Sequence, residues 1–396
     1  MKILPDRDLL ESLLRNLVVI DSVNPTLVPG ARGERAAAEF LCGFLRKHGI
    51  AAEPQEAVLG RPNVVAWIGP SPPRDASGKA RASLAILAHI DTVGAGDMPD
   101  PFTPVERDGK LFGRGALDIK SGVAAMCAAA IAVAQSRATL ARPVLLAAVV
   151  DEECNSIGTA ALLEHFTAEH AVVLEPTDLQ LVIAHKGYAW FEIITHGRAA
   201  HGSLPAEGRD AIRAMGRVLR GLDEIESQLR ANSPHPLLGA ASLHASLISG
   251  GQELSSYPAE CRLQLERRML PGETEPHAQQ ELEGLLAQLQ SGLPEFSATL
   301  AALGSRPPYE IAKDSPLVLL VSRAMQSAGL DVRLAGMAPW TDTALLAEKG
   351  IPGVVFGPSG RGLHGREEYV ELRSVEQCAR VLAELIRVST VPEKSS

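Results

Sequence analysis

The sequence predicts an α/β protein with a mostly parallel central sheet, helices on both of its faces, and an inserted α+β domain. Three observations lead there. Short all-apolar runs alternate with helical patterns over the first 187 residues, a strand-rich pattern replaces them from about Tyr188 to Ala301, and the first pattern then resumes. All-apolar strands separated by helices belong to parallel sheets buried on both faces, whereas half-exposed antiparallel strands alternate polar and apolar residues. A chain of 396 residues also has room for roughly two cores of ordinary size.

Helical periodicity covers Arg7 to Val19 and Glu34 to His48, and strands follow at Asn63 to Ile68 and Ser83 to Ala88. Between those strands, "GPSPPRDASGKARA" (69–82) is rich in turn residues and reads as an exposed connection. A helix at Ile119 to Gln135 and strands at Val144 to Val150 and Ala171 to Leu174 complete the first segment. The insertion, 188–301, then reads as "YAWFEIITH", a helix from Ala206 to Ala231, the strands "ASLHASLIS" and "ECRLQLERR", a helix from Glu273 to Gln290, and "FSATLAA". That order, βαββαβ, is the ferredoxin-like unit. The first domain, 1–187 and 302–396, closes with helices at Pro316 to Ala328 and Thr343 to Lys349, a strand at Gly353 to Phe356, and a helix at Ser374 to Val388. There is no internal repeat.

A net charge of −9 gives no basic surface for nucleic acid or anionic lipid, so small molecules or short peptides are the expected partners. The N-terminal "MKILPDRDLLESLLRNLVVIDS" mixes acids and bases in a helical pattern unlike a signal peptide, so a cytoplasmic chain is expected. The longest apolar stretch, Val123 to Ala134, is short of the ~20 residues that a membrane span needs. Five scattered cysteines without a CxxC pair read as reduced, mostly buried thiols.

Ligands of open α/β sheets bind at the carboxyl ends of the strands, where the loops converge. Polar residues collect at that edge here: His89 and Asp91 after one strand, Asp151, Glu152 and Glu153 after another, Glu175 after a third, and His364 beyond the last, with Asp118 just ahead of a helix. Each alone is unremarkable as a cap, a loop acid or a structural histidine. Together, so many acids in one crevice would repel one another unless cations neutralised them. Imidazole and carboxylate donors suit zinc, and the number of acids favours two ions, since one carboxylate can bridge both. Spacing does not distinguish the role of Glu152 from that of Glu153.

The segments "HIDTV" (89–93), "GRGALDIKSG" (113–122), "DEE" (151–153), "LEPT" (174–177) and "GLHGREEYV" (362–370) resemble, in order, the motifs of the M20 metallopeptidases. That group includes acetylornithine deacetylase, succinyl-diaminopimelate desuccinylase, aminoacylase and glutamate carboxypeptidase. The resemblance implies two Zn2+ per subunit, with Co2+ or Mn2+ as substitutes. His89 and Glu175 would hold one ion, Glu153 and His364 the other, and Asp118 would bridge them. Glu152 corresponds to the general base, and Asp91 to the acid behind His89. The insertion resembles the family's lid and dimerisation domain. In it, "GRAAHGSLP" (197–205) places His201 as an oxyanion donor to the partner subunit of a homodimer, and "ERRMLPGE" (266–273) offers Arg267 or Arg268 to a substrate carboxylate. Adjacent strand residues face opposite ways, so only one of the two arginines can serve. Two departures concern substrate contacts: Ser255 stands where many members have asparagine, and the bulky Trp340 precedes "TDT" where many have glycines. The resemblance thus implies a hydrolase of N-acyl amino acids, with a dipeptidase or carboxypeptidase as the alternative and a non-catalytic binding homologue as the remote one.

Overall fold

In the computed structural model, which describes residues 3–136 and 138–389, the chain forms two compact units. The first comprises 1–183, 311–335 and 341–396; the second comprises Ala184–Glu310 and Gly336–Trp340. The second unit therefore extends past both ends of the expected 188–301 insertion and takes in Trp340.

The central sheet of the first unit is parallel in its middle and antiparallel toward its edges. Val144–Val149, Ala80–His89, Phe166–Val173 and Gly353–Val355 are the parallel centre. The hairpin Ala52–Val58 and Arg61–Ile68 adds two antiparallel strands on one side, and Leu181–His185 pairs antiparallel with Gly353–Val355 on the other. All six residues of Val144–Val149 and nine of the ten of Ala80–His89 are buried, as strands covered on both faces must be. The Ala80–His89 strand begins three residues before Ser83, within the stretch expected to be an exposed connection.

Helix Ser121–Gln135 packs against helix Leu372–Ser389 at the heart of this unit, its alanines allowing close approach. With the irregular turn Ala116–Lys120 ahead of it, this stretch spans 20 residues and is long and apolar enough to cross a membrane. Most of its residues are buried within the molecule, as those of a core helix are. Among the described residues the five cysteines are all free thiols, and only Cys154 is more than slightly exposed.

The second unit is a four-stranded antiparallel sheet in the order Ser242–Gly250, Glu260–Met269, Gly187–His196, Ala298–Arg306, with helices Ala211–Ala231 and Glu275–Gly292. Ala189, Phe191, Ile193, Leu263 and Leu265 alternate along the two inner strands and join Met215, Val218 and Leu282 of the helices in its core. The first helix begins at Ala211, five residues later than expected, because the Asp210 side chain caps it by accepting from Arg213 N at 2.9 Å.

Helix Ile157–His165, unforeseen in the sequence, starts directly after the "DEE" turn and lies tight against the preceding strand end. A Cβ on Gly158 would stand 2.4 Å from Val150 O and 2.5 Å from Val150 N. Both are backbone atoms, so Gly158→Ala should destabilise the protein by about 1–3 kcal/mol in urea unfolding. Gly43, in helix Arg35–Lys47, has nothing within 4 Å of its would-be Cβ, and Gly43→Ala should instead stabilise by roughly 0.5–1 kcal/mol.

Candidate metal centre

Strand register brings the first group of acids together. His89 lies opposite Val149, and Leu87 opposite Val173, so Asp151 to Glu153 and Glu175 follow strand ends immediately beside His89. A separate antiparallel sheet of Val105–Arg107, Lys110–Phe112, Tyr369–Glu371 and Gly360–Arg361 ties the segment carrying His364 to the chain leading into Asp118. Asp118 itself has non-helical backbone angles inside the Ala116–Lys120 turn, and the regular helix starts only at Ser121.

Asp118 divides its carboxylate between two histidines. Its Oδ1 is 3.2 Å from His89 Nε2 and its Oδ2 is 3.3 Å from His364 Nε2. Glu153 Oε2 is 3.1 Å from His364 Nε2, while Glu152 Oε2 and Glu175 Oε1 are both 3.9 Å from His89 Nε2. Donor atoms of His89, Asp118 and Glu153, and likewise of His89, Glu152 and Glu175, lie within 4.8 Å of one another. Distance therefore separates Glu153, on the His364 side, from Glu152, on the His89 side. It does not rank Glu152 against Glu175.

Two further acids hold this cluster in place. His89 Nδ1 is 3.0 Å from the Asp91 carbonyl oxygen and 3.4 Å from its carboxylate, so the backbone makes the shorter contact. A proton on Nδ1 leaves the Nε2 lone pair directed at the site. The Asp91 carboxylate accepts the N–H groups of Glu152 and Glu153, both at 3.2 Å. Glu368 plays the corresponding part for Asp118. Buried, it accepts from the backbone of Gly115 (3.1 Å), Leu117 (2.8 Å) and Asp118 (3.1 Å), and from Arg114 Nη1 at 2.7 Å. In the sequence, the only sign of Glu368 is its place in "GLHGREEYV", four residues after His364.

The electrostatics are those of a cluster that needs positive charge. Burial pushes Glu175, Glu152 and Glu153 upward, and the neighbouring acids add to it. Burial opposes protonation of His89, yet Asp118 and Asp91 raise it well above the ordinary histidine value. His364 is raised to about 10 by Asp118 and Glu153. Asp118, although buried, is held below the usual carboxylate range by its two imidazoles. Glu153 Oε1 and Glu175 Oε1 are buried without a hydrogen-bond partner among the described residues. Orphaned carboxylate oxygens among imidazole nitrogens fit borderline divalent cations such as Zn2+.

The remaining candidates belong to the second unit. His201 is exposed, and its Nδ1 accepts from Ser203 N at 3.2 Å. Ser255 is exposed and its carbonyl accepts from Gly202 N at 2.7 Å. Trp340 lies edge-on to His185, with the Arg306 guanidinium 5.7 Å from its ring. Arg267 is corrected: it points inward with Leu263, Leu265 and Met269, is 2% exposed, and is taken up by Glu273 at 2.9 Å and Glu281 at 3.1 Å. Arg268 faces the other side of the sheet, with its Nε on Glu266 Oε1 at 2.6 Å.

Replacing Glu368 by Gln keeps its shape but turns an amide N–H₂ toward backbone donors. We expect Glu368→Gln to lose about 1–3 kcal/mol in urea unfolding of the chelator-treated protein. A variant as stable as the wild type would show that the loop does not depend on this carboxylate.

Comparison with known proteins agrees with the geometry. Over 394 residues the chain is 29% identical to acetylornithine deacetylase of Myxococcus xanthus, covering 95% of this chain and 96% of that one. Its fold is similar to that of a tripeptidase from Staphylococcus aureus, with a TM-score of 0.79 at 19% identity over 98% of this chain and 99% of that one. It is also similar to a dinuclear metal binding M20 peptidase from Bacillus subtilis, with a TM-score of 0.73 at 18% identity over 96% and 98% of the two chains. Residues 85–388 match Peptidase family M20/M25/M40. The chain belongs to that family, and is a hydrolase acting on amide or peptide bonds.

Proposed function

We propose that the protein is a dinuclear zinc-dependent deacylase that hydrolyses the amide bond of an N-acyl amino acid. The observation that carries this reading is the Asp118 carboxylate, one oxygen on each of two imidazoles, with further acids on both sides. His89, Glu175 and Asp118 would hold one ion and Glu153, His364 and Asp118 the other, and Co2+ or Mn2+ would suit the same donors. When bound, the ions supply Lewis-acid polarisation of the scissile carbonyl and acidify water.

The chain's own groups supply the proton transfers and orientation. Glu152 takes a proton from the attacking water on a carboxylate oxygen and returns it to the nitrogen of the departing amine. Its burial, which pushes its proton affinity up, suits a group that must both accept and donate. What assigns Glu152 rather than Glu175 to this work is the resemblance of "DEE" and "LEPT" to the family's motifs.

His201 would be contributed by a second copy, in a homodimer formed through the second unit. Because its Nδ1 accepts a hydrogen bond, the neutral ring carries its proton on Nε2 and can donate to the carbonyl oxygen. Arg268 remains available for the substrate carboxylate, with Ser255 and Trp340 shaping the rest of the pocket. Deacylation is preferred over peptide cleavage because relatives matched over nearly the whole chain are deacetylases, whereas the peptidase neighbours share the fold alone. The free cysteines fit a reducing compartment, and we place the enzyme in the cytoplasm.

The purified enzyme loaded with Zn2+ should cleave N-acetyl amino acids, N-acetylornithine among them, faster than N-succinyl amino acids or dipeptides. Glu152→Gln should lose about 10²–10⁴-fold in kcat while retaining its zinc by elemental analysis. Preference for dipeptides would overturn the substrate assignment, and an active Glu152→Gln the mechanism.

Zinc binding should also release protons. His89 and His364 are both raised in the metal-free protein, and each must be neutral to ligate, so about two protons should leave at neutral pH, with more from the glutamates. Titration calorimetry of the stripped enzyme in buffers of different ionisation enthalpy measures the number; none released would contradict the ligand set.

A further inference from the structure

A buried polar chain behind the site has no part in the reaction as written. Asn24 is at its centre. It lies in a segment that runs beside the continuation of the His89 strand, with Thr92 N donating to Ser22 O at 3.1 Å and Asn24 N to Thr92 O at 2.9 Å. Its side-chain Nδ2 donates to two acids, Asp91 Oδ2 at 2.8 Å and Asp151 Oδ1 at 3.0 Å. Its Oδ1 accepts from Thr26 N at 2.9 Å and Arg61 Nη2 at 3.2 Å. With acceptors on one side and donors on the other, the orientation of the amide is determined by its surroundings.

The two acids it joins are the two moorings of one turn. Asp91 accepts the N–H groups of Glu152 and Glu153. Asp151 accepts through its carbonyl from Cys154, Asn155 and Ser156, and through its carboxylate from Thr26 Oγ1 and Asn155 N, both at 3.2 Å. Arg61 Nη1 is 2.8 Å from Asp151 and its Nε donates to the buried Glu34 at 3.0 Å. Two buried carboxylates side by side repel each other. A neutral nitrogen with two N–H groups, one for each acid, and a guanidinium behind it let them stay close; an alanine or an aspartate at position 24 could supply neither bond.

We propose that Asn24 is a positioning residue for the hydrolysis: its amide couples Asp91 to Asp151 and thereby fixes the turn that presents Glu152 and Glu153, with Arg61 and Glu34 as its support. The inference rests on the reading of Glu152 as proton carrier and Glu153 as metal ligand. It adds a residue from the N-terminal segment, far in sequence from every motif of the site.

The test compares Asn24→Ala and Asn24→Asp with the wild type, using the N-acetyl amino acid that the wild type cleaves fastest and, separately, Zn2+ alone by calorimetry on chelator-stripped protein. Asn24→Ala should lose about 10- to 100-fold in kcat and in zinc affinity, with KM changed less than about twofold. Asn24→Asp, which sets a third carboxylate against the other two, should lose more. Thr26→Val removes the hydroxyl that donates to Asp151 and accepts from Arg61 Nη1 at 2.8 Å, and is the variant to read if Asn24→Ala does not fold; it should lose several-fold in both quantities. Wild-type kcat and zinc affinity in folded Asn24→Ala, or in Thr26→Val where that is the variant read, overturns the proposal, as does a loss confined to thermal stability. Glu152→Gln measured alongside separates the two readings: if it is inactive while Asn24→Ala is not, only the mooring fails, and if it is active the catalytic reading fails.

Discussion

A single carboxylate shared between two imidazoles is the constraint on which the arrangement of the first unit depends. For Asp118 to face both His89 and His364, the carboxyl end of a central strand, an irregular turn ahead of a core helix, and a loop of a separate small sheet must meet at one point. None of these segments is near another in sequence. Each is held by acids that do not themselves belong to the cluster. Glu368 gathers three backbone N–H groups and an arginine around the Asp118 turn, and Asp91 gathers the backbone of the "DEE" turn.

The acids thus fall into two kinds, distinguished by how their oxygens are satisfied. Asp91, Asp151 and Glu368 each accept two or more hydrogen bonds from N–H donors, so their oxygens are satisfied by the protein itself. Glu153 and Glu175 each keep one oxygen that is shielded from water and has no donor among the described residues. Leaving a buried acceptor unsatisfied costs free energy that the fold recovers only if something positive enters. The same imbalance shows in proton affinity: burial pushes that of the glutamates up, and the acids raise that of both histidines.

Much of this was legible in the sequence, for a specific reason. Parallel strands expose their function at the carboxyl end, and "LAILAH" and "LLAAVV" announce their ends by the switch from apolar to polar residues. Helix Ile157–His165 was not legible, because its apolar residues fall on all sides and show no stripe at helical spacing. Nor was hairpin strand Ala52–Val58, an edge strand that is mostly exposed and has a proline and three polar residues among its seven. Glu152 and Glu153 are adjacent and chemically alike, so their spacing could not part them; the family resemblance did, and the positions of the two histidines separate them in space. Asn24 and Glu368 work through backbone and amide hydrogen bonds across gaps of 67 and 250 or more residues, which no local pattern encodes.

Arg267 and Arg268 show how a periodicity of two resolves what a motif leaves open. In a sheet with helices on one face only, odd positions of Glu260–Met269 must enter the core, and Arg267 can be there only because Glu273 and Glu281 neutralise it. Its role is to tie strand to helix. Arg268 is left on the open face beside Glu266, Tyr188 and Trp190. Its ion pair with Glu266 uses Nε, and neither Nη has a hydrogen-bond partner among the described residues. The end-on fork of the guanidinium, the pair of Nη groups that grips a carboxylate with two parallel bonds, therefore stays open while Glu266 fixes the direction in which it points.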